Sequence, residues 1–452
     1  MKNKLIKRLA SAAVLSAVLF SALPATASAE ANDPFIVVSL GDSYSSGEGI
    51  PAFYGQNKAW EDKIYDEDWL AHRSTKSWPG LLEFPEIGGK LKDYNVKQTN
   101  SSECKWYFGA VSGAETKHFK KERQRKDTYK RMSLFKTLKT TYYMPKQLDV
   151  MNKVKGDVDY VTLTVGGNDV GFEEIITTCA TGSTYLHFGS GKLKLEKEMD
   201  SIWATFASTR ADIKGVYNDI QSTAGQQAEI IVAGYPKLLD KNGKGVLISE
   251  KEATIVNQNV TKFNNAILSI VNECRNEGMN IHFVDVETEF DKDGGHQAYS
   301  DNAWINKIIL TKQDQDLDQS GIASAYSIHP NEEGAKAYAR CVNAKIREIE
   351  NEKQAELLRA AAAAAQSEVS GNIADASDEN AIPENAVINV YSGDELVLTV
   401  PADAEGHYSF ALADGEYTVE ISAEGYALSE APLVISGSDI VMETVFMAAE
   451  QV

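Results

Sequence analysis

The chain has 452 residues, 43% hydrophobic and 24% charged, with a formal net charge of −20. Its length allows two or three folding units, one large enough for a substantial core. The charge is uneven: residues 367–452 hold 17 Asp and Glu and no Lys or Arg, and so acidic a tail is a poor partner for nucleic acid or an anionic lipid surface.

The first residues, Met1 to Arg8, are basic, an apolar stretch Leu9 to Leu23 follows, and Ala27-Ser28-Ala29 has the small-residue pattern of a secretory cleavage site. The apolar stretch is short for a membrane span and is interrupted by Ser11, Ser16 and Ser21 before Pro24. Residues 1–29 are therefore read as a signal peptide, and the mature protein is expected outside the cell, free or surface-associated. No other segment reads as able to cross a bilayer. Export permits disulfides among Cys104, Cys179, Cys274 and Cys341, with three pairings open, and buried free thiols are the alternative.

Phe35–Leu40 is an apolar run ending abruptly at Gly41-Asp-Ser-Tyr-Ser-Ser-Gly-Glu-Gly49, the pattern of a buried strand delivering an exposed serine. Ser43 is the candidate nucleophile. A serine hydroxyl is weak at neutral pH, so it needs a histidine base and donors for an oxyanion.

A helix is predicted to begin at Trp78–Glu83. Strands are predicted at Tyr107–Val111, ending at Ser112-Gly113-Ala114, and at Val158–Val165, ending at Gly166-Gly-Asn-Asp169. A helix over Gln147–Val154 precedes the latter. Helical spacing over Ser201–Ala224, a strand at Ile230–Ala233, a helix over Ala253–Cys274 and a strand at Ile281–Val286 continue the alternation. Such alternation predicts a parallel sheet covered by helices on both faces, with the site beyond the carboxyl ends of the strands. Ser43, Gly113 and Asn168 all fall at such ends. His329 alone among the histidines stands just before a helix, with Pro330 and Asn331 as start signals and helical spacing from Ala335 into the alanine run ending at Ala365.

Gly41-Asp-Ser-Tyr-Ser, Gly113, Gly166-Gly-Asn-Asp169 and His329-Pro330 resemble, in order, the four blocks of the SGNH or GDSL-type hydrolases. Ser45-Ser-Gly-Glu-Gly49, the stretch Arg73 to Pro79, Gly234-Tyr-Pro236 and Gly295-His296 ahead of Trp304 are similar to the secreted bacterial esterase and lipase branch. The resemblance implies a three-layer α/β/α sandwich. It also implies a secreted serine carboxylic-ester hydrolase in which Ser43 attacks the ester and His329 takes and returns its proton. The Ser43 and Gly113 main-chain N–H groups and the Asn168 side chain would form the oxyanion hole. Glycine permits close approach of main chain, and an asparagine amide donates without titrating. Neither metal nor cofactor is implied.

The family's Asp three residues before the histidine is Tyr326 here. A phenol does not replace a carboxylate, so the Tyr326 main-chain carbonyl is expected to orient His329, with Asp314, Asp316 and Asp318 as the alternative acids. The expected partner is an ester: lipid, short-chain acyl or acetyl. A deacetylase of acetylated glycans and a catalytically silent surface-binding protein are the competing readings.

Asp314-x-Asp-x-Asp318 lacks the glycine and distal glutamate of a calcium loop, and His72, His187, His282 and His296 lack metal-ligand spacing. The basic stretch His118–Lys126 reads as a solvated insertion. From Gln366 short alternating strands and glycine turns take over: Val387–Tyr391, Glu395–Val400, His407–Leu412, Glu416–Ile421 and Leu433–Ile435. This part resembles carboxypeptidase regulatory-like, prealbumin-type β-sandwiches, with Tyr408, Phe410, Leu412, Tyr417 and Val419 inward. The expected organisation is a signal peptide over 1–29, a catalytic domain over 30–350, an alanine-rich helical linker over 351–366 and an acidic sandwich over 367–452. The sandwich is a candidate contact with a cell surface or glycan.

Overall fold

The computed structural model describes residues 33–56, 66–127, 140–172, 194–240, 248–311, 313, 323–364, 366–378 and 381–450. Residues 1–29, read above as a signal peptide, and Cys179, His187, Asp314, Asp316 and Asp318 lie outside the described residues. The chain divides into two compact units at Arg347 and Glu348.

In the first unit, β1 (Phe35–Ser39), β2 (Cys104–Phe108), β5 (Tyr160–Leu163), β6 (Glu229–Ala233) and β7 (Ile281–Val284) form one sheet in the order β2-β1-β5-β6-β7, every neighbour parallel. All five residues of β1 and of β6 are buried, as expected of strands covered on both faces. The hairpin β3 (Arg123–Asp127) and β4 (Thr140–Met144) lies outside this sheet. It occupies part of the stretch read as a plain insertion, whose run of cations hides the strand pattern.

Helices α1 (Lys194–Ala224) and α2 (Glu250–Asn276) follow β5 and β6. α2 starts with a reciprocal cap between Ser249 and Glu252 and buries Ala253, Val256, Val260, Phe263, Ile267, Ile270 and Cys274, one stripe at three- and four-residue spacing. Each large apolar side chain so buried contributes about 1.5–3 kcal/mol. Helix α3 (Glu332–Ala364) runs without interruption through most of the alanine-rich stretch.

Three expectations shift. Trp78–Leu81 and Gln147–Met151 are short 3-10 helices, the first containing Pro79-Gly80, a poor sequence for continuing a helix. β2 ends at Phe108, and Gly109 and Val111 donate instead to the Ser39 and Gly41 carbonyls, so the chain hugs the end of β1 without ladder pairing.

The second unit contains β8 (Ser367–Asp375), β9 (Val387–Ser392), β10 (Glu395–Pro401), β11 (His407–Leu412), β12 (Gly415–Ser422), β13 (Ser429–Ile435), β14 (Ile440–Val441) and β15 (Val445–Met447). One antiparallel sheet has the order β10-β9-β12-β13; the other has β11-β8-β14, with β15 also on β8. Tyr408, Phe410, Leu412 and Val419 are buried in its core and Tyr417 packs against it, the inward alternation expected. β8 escapes a sequence reading because Gly371 interrupts its pattern. That glycine leaves room for the Tyr408 ring, whose hydroxyl would lie 2.3 Å from an added Cβ.

Cys104 and Cys274 are buried and Cys341 half-buried, all three free thiols. Burial pushes Cys104 and Cys341 up to about 12 and raises Cys274 as well. An aromatic disulfide reagent at pH 8 is expected to leave Cys104 and Cys274 unreacted in native protein and to titrate both in denaturant. Failure of both to react after unfolding without reductant would mean that they are oxidised.

Candidate active site

The loop after β1 is squeezed against β5. Gly41 has φ +118°, and a Cβ there would lie 2.4 Å from the Thr164 carbonyl oxygen, so no other residue fits. The Gln147 side chain clamps its peptide groups, accepting from Gly41 N at 2.7 Å and donating to Gly41 O at 2.9 Å. Asp42 then caps the one-turn helix Ser43–Ser46 by accepting from Tyr44 N.

Asp42 is fully buried. Its Oδ1 also accepts from Thr164 Oγ1 at 2.6 Å, and its Oδ2 accepts from Tyr235 Oη at 2.5 Å. Burial raises its pKa, while Thr164, Tyr235, Tyr44 and the charge of His329 pull it back. The Tyr235 oxygen in turn accepts from Gly167 N at 3.2 Å, so one phenol links the Ser43 loop to the Gly-Gly-Asn-Asp loop. Burial and Asp42 hold that phenol well above its ordinary pKa.

Gly166 has φ +102°, and a Cβ would meet Ile213 of α1 and Phe263 of α2 within 3 Å. The loop is stitched to the segment after Gly113. Asn168 Nδ2 donates to Ala114 O at 2.8 Å, and the Asp169 carboxylate accepts from Thr116 N and Oγ1. One amide hydrogen of Asn168 is thereby fixed, which aims the other. Gly113 has φ +70°, and its carbonyl accepts from Arg123 Nε of β3 at 2.8 Å.

The main-chain donors around these residues are occupied: Asp42 N by Thr164 O, Tyr44 N by Asp42 Oδ1, Ser112 N by Ala71 O and Ala114 N by Val111 O. Among the described residues the Ser43 and Gly113 N–H groups donate to nothing. Ser43 is only 5% exposed, and buried main-chain donors are nearly always paired. Two unused main-chain donors and an amide fixed at one hydrogen thus stand on the loops that follow β1, β2 and β5.

His329 is equally buried. Its ring centroid lies 5.2 Å from that of Tyr44, the residue after Ser43. Tyr44 Oη donates to Ile328 O at 2.7 Å, and Asn306 N donates to His329 O at 2.8 Å. Asn331 caps α3 by accepting from Glu333 N and Gly334 N. The acceptor at His329 Nδ1 is the Ser327 carbonyl, 3.0 Å away, and this corrects the expectation for Tyr326. Ile328 has φ +59°, and this left-handed turn brings the carbonyl two residues back, rather than three, to the ring. Tyr326 packs its own ring among Phe53, Trp69, Leu70 and Val111.

Of the other histidines, His282 pairs with Glu229 at 2.8 Å and His296 stacks on Trp304. Among the described residues no group of His, Cys, Asp and Glu is arranged to hold a metal ion. Gln147, Tyr235 and Arg123 were not singled out as site residues in the sequence. Gly234-Tyr-Pro236, directly after β6, was the one available signal for Tyr235.

A parallel α/β/α sandwich with its glycine, serine, asparagine and histidine at one rim is the SGNH-hydrolase architecture. The GDSL-like lipase/acylhydrolase family model matches residues 37–342, and the chain belongs to that family of ester hydrolases. A carboxypeptidase regulatory-like domain matches residues 368–445. A lipase of Streptomyces rimosus is 27% identical over 309 residues, 68% of this chain and 85% of the relative. Lipase 1 of Streptomyces coelicolor is 25% identical over 291 residues, 64% and 83% of the two chains. Among solved structures, the extracellular lipase from Streptomyces rimosus shares 24% identity over 69% of this chain and 99% of its own, with a TM-score of 0.45.

Tyr235→Phe removes a donor from a buried carboxylate and the acceptor of Gly167 N–H. A hydrogen bond to a charged group contributes about 1.5–3 kcal/mol, so urea denaturation is expected to show a loss of about 2–3 kcal/mol. A loss under 0.5 kcal/mol would mean that the phenol holds neither group.

Proposed function

We propose that this protein is an exported serine esterase or lipase working through an acyl-enzyme. The observation that supports it most is the pair of unoccupied main-chain donors at Ser43 and Gly113, with the Asn168 amide beside them and His329 beside Tyr44. With Nδ1–H donating to the Ser327 carbonyl, the lone pair of Nε2 is available to a serine proton. Ser43 Oγ bonds to the ester carbon as its proton passes to Nε2, and the carbonyl electrons move onto the oxygen facing the three donors. Collapse expels the alkoxide, which takes the proton from Nε2. Water then repeats the sequence on the acyl-enzyme.

No side-chain acid is needed for the histidine tautomer, because a main-chain carbonyl accepts only. Tyr326 in the acid position thus does not leave His329 without an acceptor, which weakens the reading of a catalytically silent binder. That the similar Streptomyces proteins are lipases supports an acyl chain over an acetyl group on a glycan. Ala27-Ser28-Ala29 and the basic start of the chain support export.

Purified mature protein is expected to release nitrophenol from acyl esters, faster for chains of several carbons than for acetate, and Ser43→Ala to lower kcat at least a thousandfold with an unchanged circular dichroism spectrum. Activity surviving Ser43→Ala would remove the nucleophile assignment. Preference for acetylated xylan would replace the lipid reading with the deacetylase one.

The acidic sandwich is assigned attachment or spacing rather than chemistry. A chain ending at Ala365 is expected to keep its rate on soluble esters within twofold and to lose activity only on particulate or cell-bound substrate. Loss on soluble esters from a folded protein would refute this.

A further inference from the structure

Behind the proposed oxyanion donors lies a buried group that the acyl-transfer chemistry does not use. Glu48 and His72 have no exposed side-chain surface, and His72 Nδ1 lies 2.7 Å from Glu48 Oε2 and 2.9 Å from Oε1. Ser112 Oγ donates to Glu48 Oε2 at 2.5 Å. Phe53 stacks on His72 at 4.5 Å, and His72 Nε2 has no partner among the described residues. His72 also has φ +51°. A buried carboxylate and imidazole cost several kcal/mol in desolvation and are weak stabilisers even when paired. A strained, half-satisfied pair of this kind is poorly explained by stability.

Its position offers a different account. Glu48 N donates to Ser43 O at 3.0 Å, and Ser112 N donates to Ala71 O at 3.0 Å. One residue therefore holds the nucleophile's own carbonyl through its main chain and, through its side chain, the residue before Gly113. The peptide between Ser112 and Gly113 carries the unoccupied Gly113 N–H. With the Ser112 amide and hydroxyl both tethered, that peptide plane has little freedom to rotate. The segment 71–74 completes the frame, with Arg73 Nε on Ala110 O at 2.8 Å and Ser74 N on Ser46 O at 2.8 Å.

We propose that Glu48 is a positioning residue for the oxyanion hole: held by His72, its carboxylate accepts from Ser112 Oγ and so aims the Gly113 N–H at the developing oxyanion. The inference rests on the acyl-transfer reading above. Glu48 touches no reacting atom; it acts through Ser112. Such a group matters in the transition state and little in the ground state.

Ser112→Ala removes one hydroxyl and leaves Glu48 and His72 paired. Loss of a whole oxyanion donor lowers kcat by about 10²–10³, so misaiming one is expected to lower kcat on a soluble nitrophenyl ester about tenfold, with KM within twofold. Affinity for an alkyl boronic acid, which becomes tetrahedral on Ser43, should fall by the same factor, while affinity for the matching non-hydrolysable ether should not change. Glu48→Gln keeps an acceptor oxygen without the charge and is expected to lie between wild type and Ser112→Ala on both measures. If wild type neither hydrolyses esters nor binds the boronic acid, the acyl-transfer reading itself fails. If wild type does both and Ser112→Ala matches it, or loses boronic acid and ether affinity equally, the positioning role is overturned. Should Ser112→Ala not fold, Glu48→Gln is judged by the same two affinities, and a parallel loss of both overturns the proposal.

Discussion

The carboxylate of Asp42 is the point through which the ends of three strands are tied. It accepts from Tyr44 N in its own loop, from Thr164 after β5 and from Tyr235 after β6. An isolated carboxylate in this position would cost several kcal/mol, and the three donors offset that cost only while all three loops stay where they are. The geometry of Ser43 and Gly167 is thus coupled to a desolvation penalty. Gly41 sets the condition for this arrangement, since the Asp42 loop reaches Thr164 only because no side chain intervenes.

How far the sequence reveals this differs from residue to residue. Ser43, Gly113, Asn168 and His329 stand out as candidates because glycine turns end apolar runs and because those side-chain types carry hydrolytic chemistry. The orienting carbonyl was misplaced by one residue, since the choice between Tyr326 and Ser327 depends on the backbone angle of Ile328, which an isoleucine does not advertise. Glu48, His72 and Ser112 were opaque for another reason. Glu48 meets partners 24 and 64 residues further along, and neither spacing has a local signature. The β3–β4 hairpin was obscured by charge in Arg123–Asp127, although Thr140-Thr-Tyr-Tyr-Met144 has strand-forming residues.

The sandwich over residues 367–452 differs sharply in its chemistry from the rest of the chain. Every cation beyond the amino-terminal segment lies before residue 367, and the sandwich is stabilised by an apolar core and acid-accepting turns such as that at Asp375. Asp375 accepts from Ser377 and Asp378 main chain and from the Ser377 and Tyr426 hydroxyls, which hold it at about 2. A domain without lysine or arginine can still keep its carboxylates satisfied by using peptide N–H and hydroxyl donors.

The Ser327 carbonyl facing His329 also changes where inheritance can damage the site. An acidic side chain in that role is lost by a single codon change. A peptide oxygen is encoded by every codon, so residue 327 can drift without the acceptor disappearing. The vulnerable position moves to its neighbour, because the ring meets that oxygen only while Ile328 keeps its left-handed backbone, a conformation that a β-branched residue adopts at a cost. Drift toward glycine or asparagine at 328 would relax that conformation, whereas proline, locked at negative φ, would abolish it. Erosion of this lineage's chemistry would therefore register first in the backbone angle of an apolar residue, where a comparison of polar side chains would not detect it.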